Sequence, residues 1–432
     1  MALDASITLM TASVQFLDTR LALVNIAPEL YSNFLQPILQ LLLYKSAPTP
    51  GDDAGHGAGR SRSALSWAYE YPFVNISVTP IECSIVCSRE QAKALFHPVR
   101  DGLPESQRNK VEITDEDFVV IQVGGEGLEA GQRVLELTSP LAMAGISIFF
   151  ITTYFSDYIL VPIQSRQQVV QALEDRGFTF ENDSSSYTHP SNPSHMRNLS
   201  SPTSSNPSPA TSVNHQAPPG TPPPTSITEL ETRTFNLLTR HNIAPDAQTH
   251  LRLIQCAARR EPPSSTVRSS RPASGFAGGS PRSIPTTTPT EMTLQNALTR
   301  ALIGPPRFLS ITLTTSESPS VLMEKILLPL FDLPDGESAL LGSKEDILIP
   351  VTLDLRTLPL ESTGIVCGVA GKLVGGMAGG RVMEGGPDPF GPGAVEMSYL
   401  STARAGTVMV AEAELERAMG ALGALAIGKT KR

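Results

Sequence analysis

The run from Val134 to Pro162 constrains the fold of this chain more than any other segment. Its sequence, VLELTSPLAMAGISIFFITTYFSDYILVP, places apolar residues at helical spacing directly before two β-rich stretches that are joined by a short turn. The same order recurs near the C-terminus, in GIVCGVAGKLV from Gly364 and in YLSTARAGTVMVAEAELERAM, which ends at Met419. We therefore expect two copies of one small βαββα unit.

An additional copy of this order precedes the first run. RLALVNI, from Arg20, predicts a strand, ELYSNFLQPILQLLLY a helix, FVNIS and CSIVC two strands, and SREQAKALF a second helix. This first module spans residues 14–100. The second module, residues 112–182, begins with the strand FVVIQVG and contains the run described above. The predicted fold class is α+β, with tandem ferredoxin-like βαββαβ modules.

The C-terminal half predicts two more modules. Residues 306–348 form an abbreviated third module, in which RFLSITL is a strand and SPSVLMEKILLPLF a helix with Val321, Ile326 and Leu330 on one face. Residues 349–428 form the fourth. Modules one and three share one strand and helix pattern, and modules two and four share a longer hairpin. We expect module one to pack beside module three, and module two beside module four.

A long insert separates the two halves. Residues 183–226 and 262–291 are dominated by Ser, Pro and Thr, so they cannot bury enough apolar surface to fold, and we predict disordered linkers. Residues 227–261, between them, are predicted to form a short helical pair. Its second helix is inferred from three apolar residues at helical spacing, Leu251, Ile254 and Ala258.

Composition excludes several classes of function. The 432 residues carry a net charge of −9, with a pI near 5.4, which argues against a nucleic-acid-binding groove. No segment is apolar enough to span a membrane, and no secretory signal precedes the first module, so we predict a cytoplasmic protein. The four cysteines form no CxxC pair, and we expect buried thiols, no metal and no cofactor.

Enzymatic motifs are also missing from the sequence. It contains no GxSxG or HExxH pattern, and we predict a protein that is not an enzyme. Residues 125–130, GEGLEA, imitate the dinucleotide-binding fingerprint after a strand and before a helix. However, an antiparallel hairpin follows that helix, whereas a dinucleotide-binding unit requires a parallel strand.

Four segments resemble one family of proteins. They are FVNISVTPIECSIVCSREQAKAL, PLAMAGISIFFITTYFSDYILVP, STGIVCGVAGKLV and STARAGTVMVAE. Together they are similar to the CASTOR/GATS family of tandem ACT-domain proteins. The resemblance implies a cytosolic amino-acid sensor that holds its ligand between the second and fourth modules. It also implies a role in target-of-rapamycin signalling through binding to a GATOR-type complex.

The resemblance also implies site residues. Those matching ligand-binding positions are Ser147, Ile148, Gly364, Ile365 and Thr402, and Glu361 is included because it is adjacent to the position of a loop glutamate in the family. Those matching partner-binding positions, at the tip of the second-module hairpin, are Tyr154, Phe155 and Asp157.

Three residues depart from the family's pattern. Gly406 stands where the family has the acidic residue that holds the guanidinium, Ala403 replaces an aromatic lid residue, and Ser362 replaces a loop glutamate. A buried guanidinium without a carboxylate is costly, so arginine is not indicated as the ligand.

Two functions follow from these observations. The leading hypothesis is a non-enzymatic regulatory protein that binds an amino acid or a related metabolite and passes its occupancy to a protein partner. The alternative is an interaction module that kept the ACT fold and lost the ligand. A homodimer is an open alternative for the assembly.

Overall fold

The computed structural model describes residues 13–43, 73–124, 130–180, 224–259, 288–374 and 395–423. These residues contain sixteen β-strands. In chain order, β1 to β16 are Ser13–Ile26, Phe73–Val78, Cys83–Ser88, Val111–Ile113, Phe118–Gly124, Phe149–Thr152, Asp157–Pro162, Thr179–Phe180, Asp246–Ala247, Leu253–Ala258, Leu309–Thr314, Ser320–Glu324, Leu340–Leu341, Leu348–Asp354, Met397–Ser401 and Ala405–Ala411.

Ten α-helices lie in the same described residues. In chain order, α1 to α10 are Leu35–Leu43, Arg89–Gln91, His97–Gly102, Glu105–Arg108, Ala130–Met143, Arg166–Glu174, Ile227–Arg240, Pro289–Ile303, Ile365–Val374 and Leu415–Gly423. Short 3-10 helices cover Pro28–Phe34, Ile163–Ser165, Lys325–Phe331 and Glu412–Glu414, and a π-helical turn covers Ala92–Phe96.

Twelve of the strands form a closed antiparallel ring. The order is β10-β12-β11-β2-β3-β1-β5-β7-β6-β15-β16-β14, and a bridge between Leu253 of β10 and Leu348 of β14 completes it. Strand β1 lies between β3 and β5 in this order and uses a different part of its length to pair with each. Its residues up to Leu21 pair with β5, and its residues from Leu21 onward pair with β3.

Both faces of the ring are buried. Alternate residues of β1 show this, because Leu21 and Leu23 belong to a cluster inside the ring, whereas Ala22 and Val24 pack beneath helices. The helices therefore coat the outside in two clusters, one for each half of the ring. This two-sided burial explains why the strands read as nearly continuous apolar runs rather than as alternating ones.

Two seams join residues 13–180 to the C-terminal part of the ring, and they differ in strength. Strand β2 pairs with β11 through six consecutive residue pairs, from Val78–Leu309 to Phe73–Thr314. Strand β6 pairs with β15 only at Ile151–Leu400. There, two side chains replace ladder bonds, since Ser401 Oγ accepts from the Phe150 amide at 2.9 Å and Thr152 Oγ1 accepts from the Tyr399 amide at 3.1 Å.

The prediction of a second helix in residues 227–261 is wrong. Only the first helix forms, as α7, and the apolar residues that follow it form strand β10. Leu253 faces the inside of the ring and Ile254 the outer core, and both are fully buried. A strand buried on both faces lacks the alternation that would have distinguished it from a helix.

The predicted third module is also corrected. The segment read as one helix from Ser318 is strand β12 followed by the 3-10 helix Lys325–Phe331, and Ile326 is 77% exposed. Strand β10 pairs with β12, and helix α8 precedes β11. The elements packed beside β11 and β12 therefore include residues from Leu253 onward, which lie before the predicted boundary at residue 306.

The predicted disordered linkers lie largely outside the described residues. The exceptions are residues 224–226 and 288–291, of which Pro289 to Glu291 form the first turn of α8. The fingerprint-like residues 125–129 also lie outside the described residues. Among the helices that the structure describes, none is long and apolar enough to span a membrane.

The closed ring generates a first prediction. When residues 1–182 and 224–432 are produced as separate chains in one cell, we expect them to associate, because β2 and β11 otherwise remain unpaired edge strands. Co-purification through a tag on one chain and a single unfolding transition would report the complex. Ile311→Asp, in the middle of β11, should abolish association, and Ile326→Asp, at an exposed position, should not. Two soluble halves that fold independently would contradict the prediction.

Candidate functional site

A cavity of about 50 Å³ lies beside the weak seam between β6 and β15. Its walls come from α5, from the loops before β6 and α9, from the first residues of α9, and from the β15–β16 hairpin. The lining is mainly apolar, and none of the lining residues carries a formal charge. They include Ala142, Ile146, Ile148, Phe149, Leu358, Leu360, Ile365, Val366 and Cys367.

The start of helix α9 forms one polar end of the cavity. Gly364 precedes the helix with φ of +80°, a conformation that favours glycine. The first N–H groups of a helix have no acceptor within it, and together with the helix dipole they favour an anion or another acceptor. Ser362 is also in the wall, but its hydroxyl donates to the Pro359 carbonyl oxygen at 2.7 Å.

The β15–β16 hairpin places Tyr399 in the wall of the cavity. Tyr399 pairs with Val408, so its ring lies on the same face as Gly406, diagonally across the two strands. Its side chain is fully buried, and its hydroxyl has no hydrogen-bond partner in the part of the chain that the structure describes. Burial raises the pKa of Tyr399, so the phenol is neutral. A Cβ atom added at Gly406 would collide with this hydroxyl.

The structure brings four of the six predicted ligand residues together, namely Ile148, Gly364, Ile365 and Thr402. Ser147 and Glu361 lie next to the cavity but outside its lining, and Glu361 is exposed. The three positions that depart from the family's pattern, Ser362, Ala403 and Gly406, all line the cavity.

Sequence reasoning missed Tyr399. The register of the β15–β16 hairpin brings position 399 onto the face of position 406, and the sequence pattern alone did not give that register. It also missed Cys367 in the cavity wall, although all four cysteines are buried as predicted.

Helix α7 covers the outer side of α9 next to the cavity. Thr234 sits against Gly368, where three of its side-chain atoms lie 2.8 Å from the position of an added Cβ atom, and its hydroxyl donates to the Gly364 carbonyl oxygen at 3.1 Å. Leu230 packs against Gly364 and belongs to a small buried cluster with the wall residue Cys367. The helix inside the insert therefore supports the cavity.

The cavity loop at residues 402–404 is also tied to the first half of the chain. The Arg404 amide donates to Glu82 Oε1 at 2.6 Å, and the Ala403 amide donates to Ser84 Oγ at 3.2 Å. Burial is the largest effect on Glu82 and raises its pKa to about 7, against the lowering effect of hydrogen bonds from the loop. A carboxyl group that titrates near neutral pH thus contacts the loop.

The predicted partner residues divide into two groups. Tyr154 and Phe155 are 40% and 48% exposed at the β6–β7 turn, with ring centroids 4.9 Å apart. Asp157, by contrast, is fully buried and accepts from Arg133 of α5. The prediction that Asp157 contacts a partner directly is therefore wrong. Asp157 has a structural role beneath the turn. Tyr154 also packs against Gly342.

No metal centre is visible in the described ranges, which contain no group of three or more His, Cys, Asp or Glu residues that could hold an ion.

The second predicted module contains a match to the model of a known domain. Residues 113–175, from β4 to α6, match the family model of the ACT domain. An ACT domain is present. The match covers β6 and α5, which form one side of the cavity. A comparison with curated proteins found no match.

Several solved structures are similar to this chain. Protein Atu0741 from Agobacterium tumefaciens is 17% identical, with 41% of this chain and 98% of that chain covered and a TM-score of 0.24. Aspartate kinase from Synechocystis is 12% identical, with 97% and 57% covered and a TM-score of 0.28. The regulatory subunit of aspartate kinase from Thermus thermophilus is 10% identical, with 39% and 98% covered and a TM-score of 0.26. The fold assignment therefore depends on the ACT domain match and on the strand order of this chain.

The contact between α7 and α9 generates a prediction. Gly368→Ala should destabilise the protein by about 1–3 kcal/mol, because the added methyl group overlaps Thr234 in a packed interface. Gly420→Ala is the matched control, since this helical glycine has open space around it and the change should stabilise by about 0.5–1 kcal/mol. Chemical denaturation measures both values. Equal stability of the two variants would contradict the described docking of α7.

The buried Glu82 generates a prediction about pH. Because its pKa rises from 4.5 to about 7 on folding, the folded protein binds more protons than the unfolded chain between these pH values. The Glu82 contribution to the free energy of unfolding therefore decreases as pH rises through this window. Glu82→Gln keeps an acceptor for the Arg404 amide and should remove a decrease on the order of 2–3 kcal/mol.

Thermal and chemical denaturation at pH 5, 6, 7 and 8 would measure this difference between Glu82→Gln and the unsubstituted protein. Glu112→Gln is the control, because Glu112 pairs with the Arg404 side chain at a more exposed position. A pH dependence of stability that Glu82→Gln leaves unchanged would show that Glu82 is ionised in the folded protein.

Proposed function

We propose that this chain is a non-enzymatic regulatory protein that binds a small amino acid or a related metabolite in the cavity beside the β6–β15 seam. The observation that carries the proposal is the position of the cavity, between the ACT-matching residues 113–175 and the similar elements from β14 to α10. An apolar chamber with a helix start at one end and an unpaired hydroxyl in its wall suits a small ligand with polar groups.

Four ACT-like modules in one ring are part of this proposal. The strand order supports them, because β1 lies between β3 and β4, and β10 lies between β12 and β13, as the first strand of a ferredoxin-like module does. On this basis the third module begins with β10, and the modules pair as one with three and two with four.

Regulation through a protein partner is proposed at the exposed Tyr154–Phe155 pair. The turn that carries these rings follows β6, so movement at the weak seam would reach the surface directly. A GATOR-type partner, the target-of-rapamycin pathway and a cytosolic location are supported by the sequence resemblance alone.

An interaction module without a ligand is the second candidate. The small cavity volume of about 50 Å³ favours it, since this space has room for only about three or four water molecules. The cavity therefore suits a small ligand and not a large metabolite.

Ligand binding to the full chain tests the proposal. We expect thermal shift and calorimetry with the common amino acids to show binding in the micromolar to millimolar range. Ala142→Leu should fill the cavity and weaken binding at least tenfold, whereas Ala144→Leu, at an exposed neighbouring alanine, should not. If no compound binds, or if Ala142→Leu binds as tightly as the unsubstituted protein, the ligand does not occupy this cavity.

A further inference from the structure

The arrangement of Tyr399 and Gly406 carries an inference about which ligands the cavity accepts, and it rests on the proposed ligand-binding function. The two residues share one face of the β15–β16 hairpin, and the Tyr399 hydroxyl occupies the space that any side chain at position 406 would require. Gly406 thus leaves room for the phenol, and the phenol stands where an acidic side chain would otherwise project.

The hydroxyl of Tyr399 is the polar group without a partner in this wall. Buried hydroxyls almost always have a hydrogen-bond partner, because leaving one unpaired costs free energy. The other lining hydroxyls differ, since Thr138 donates to the Val134 carbonyl oxygen and Thr402 donates to the Ala405 carbonyl oxygen. The Tyr399 hydroxyl is thus the lining hydroxyl that a ligand would satisfy, once a small displacement of the wall exposes it.

The charge of the lining narrows the ligand further. None of the residues in the wall of the cavity is acidic or basic, so nothing there could neutralise a guanidinium or an ammonium group on a ligand side chain. Two carboxylates lie close to the cavity but outside its lining, namely Glu82, which accepts from the Arg404 amide, and Glu361, which is exposed. The ligand side chain that suits both the phenol and the apolar wall is therefore an uncharged one.

We propose that Tyr399 is the specificity-determining residue of this cavity, selecting a short, uncharged side chain that carries a hydroxyl or carbonyl group and excluding basic side chains. The phenol forms a hydrogen bond with that group. It also limits the length of the side chain, because its ring closes the space over Gly406. Among common amino acids, threonine and serine fit this description, and arginine and lysine do not.

The test compares amino acids with and without a side-chain hydroxyl in the full-length protein, and threonine and valine form the isosteric pair. Calorimetry would measure the binding of threonine, valine, serine, alanine and arginine to the unsubstituted protein and to Tyr399→Phe. We expect threonine to bind about 3- to 10-fold more tightly than valine to the unsubstituted protein and the preference to disappear in Tyr399→Phe, because only the hydroxyl pair is lost. Arginine should bind to neither.

Melting temperatures of the ligand-free protein test the contact between Tyr399 and Gly406 independently of ligand binding. Tyr399→Phe should raise the melting temperature of the ligand-free protein, since it removes an unpaired buried hydroxyl. Gly406→Ala should lower it, and should lower it less in a Tyr399→Ala background, because the two side chains compete for one space.

The outcomes separate the two proposals. Binding of threonine and valine with a ratio that Tyr399→Phe leaves unchanged would overturn the role of Tyr399 and leave ligand binding intact. Binding of arginine in preference to threonine would do the same. Failure of every amino acid to bind would overturn the proposed function and this inference together.

Discussion

The structure depends on the pairing of edge strands across two seams. Each half of the chain would otherwise expose an unpaired strand, and such edges invite association with other chains. At the seam of β2 and β11 the pairing is continuous, and the Asn75 amide adds hydrogen bonds to Ser310 and Thr312 inside the ring. At the seam of β6 and β15 a single residue pair is supplemented by two side-chain hydroxyls. The cavity lies beside this weaker seam, where fewer backbone hydrogen bonds hold the two halves together.

Sequence patterns predicted the elements that have a local signature. The helix and hairpin from Val134 to Pro162 and the fourth-module hairpin stand close to their predicted positions because turns and helical spacing are encoded locally. Strands β10 and β12 were read as helices, since burial on both faces removes the alternation that marks a strand. Their place in the ring depends on partners that lie far away in the chain, and no local pattern reports those partners.

The candidate site shows the same division. Gly364, Ile365 and Thr402 were placed by resemblance, and the cavity contains them. Tyr399 could be found only by combining two facts, that Gly406 lacks a side chain and that the hairpin register sets the two positions on one face. Asp157 was assigned to a partner-binding surface by resemblance, yet its side chain is buried against Arg133. Whether an acidic residue near a turn faces solvent is decided by the helix packed beneath it, which the turn sequence does not specify.

The surroundings of the cavity suggest how occupancy could be transmitted. One wall, the loop at residues 402–404, is held by Glu82 and Ser84 from the first half of the chain. Another wall, the start of α9, is held by Thr234 of α7, a helix of the insert. A ligand that contacts both walls would therefore act on residues from the first half of the chain and on a helix of the insert. Glycines at positions 364 and 368 allow α7 to approach so closely that an added Cβ atom would overlap Leu230 or Thr234. A ligand that displaced the start of α9 would therefore have to displace α7 as well or disrupt this packing.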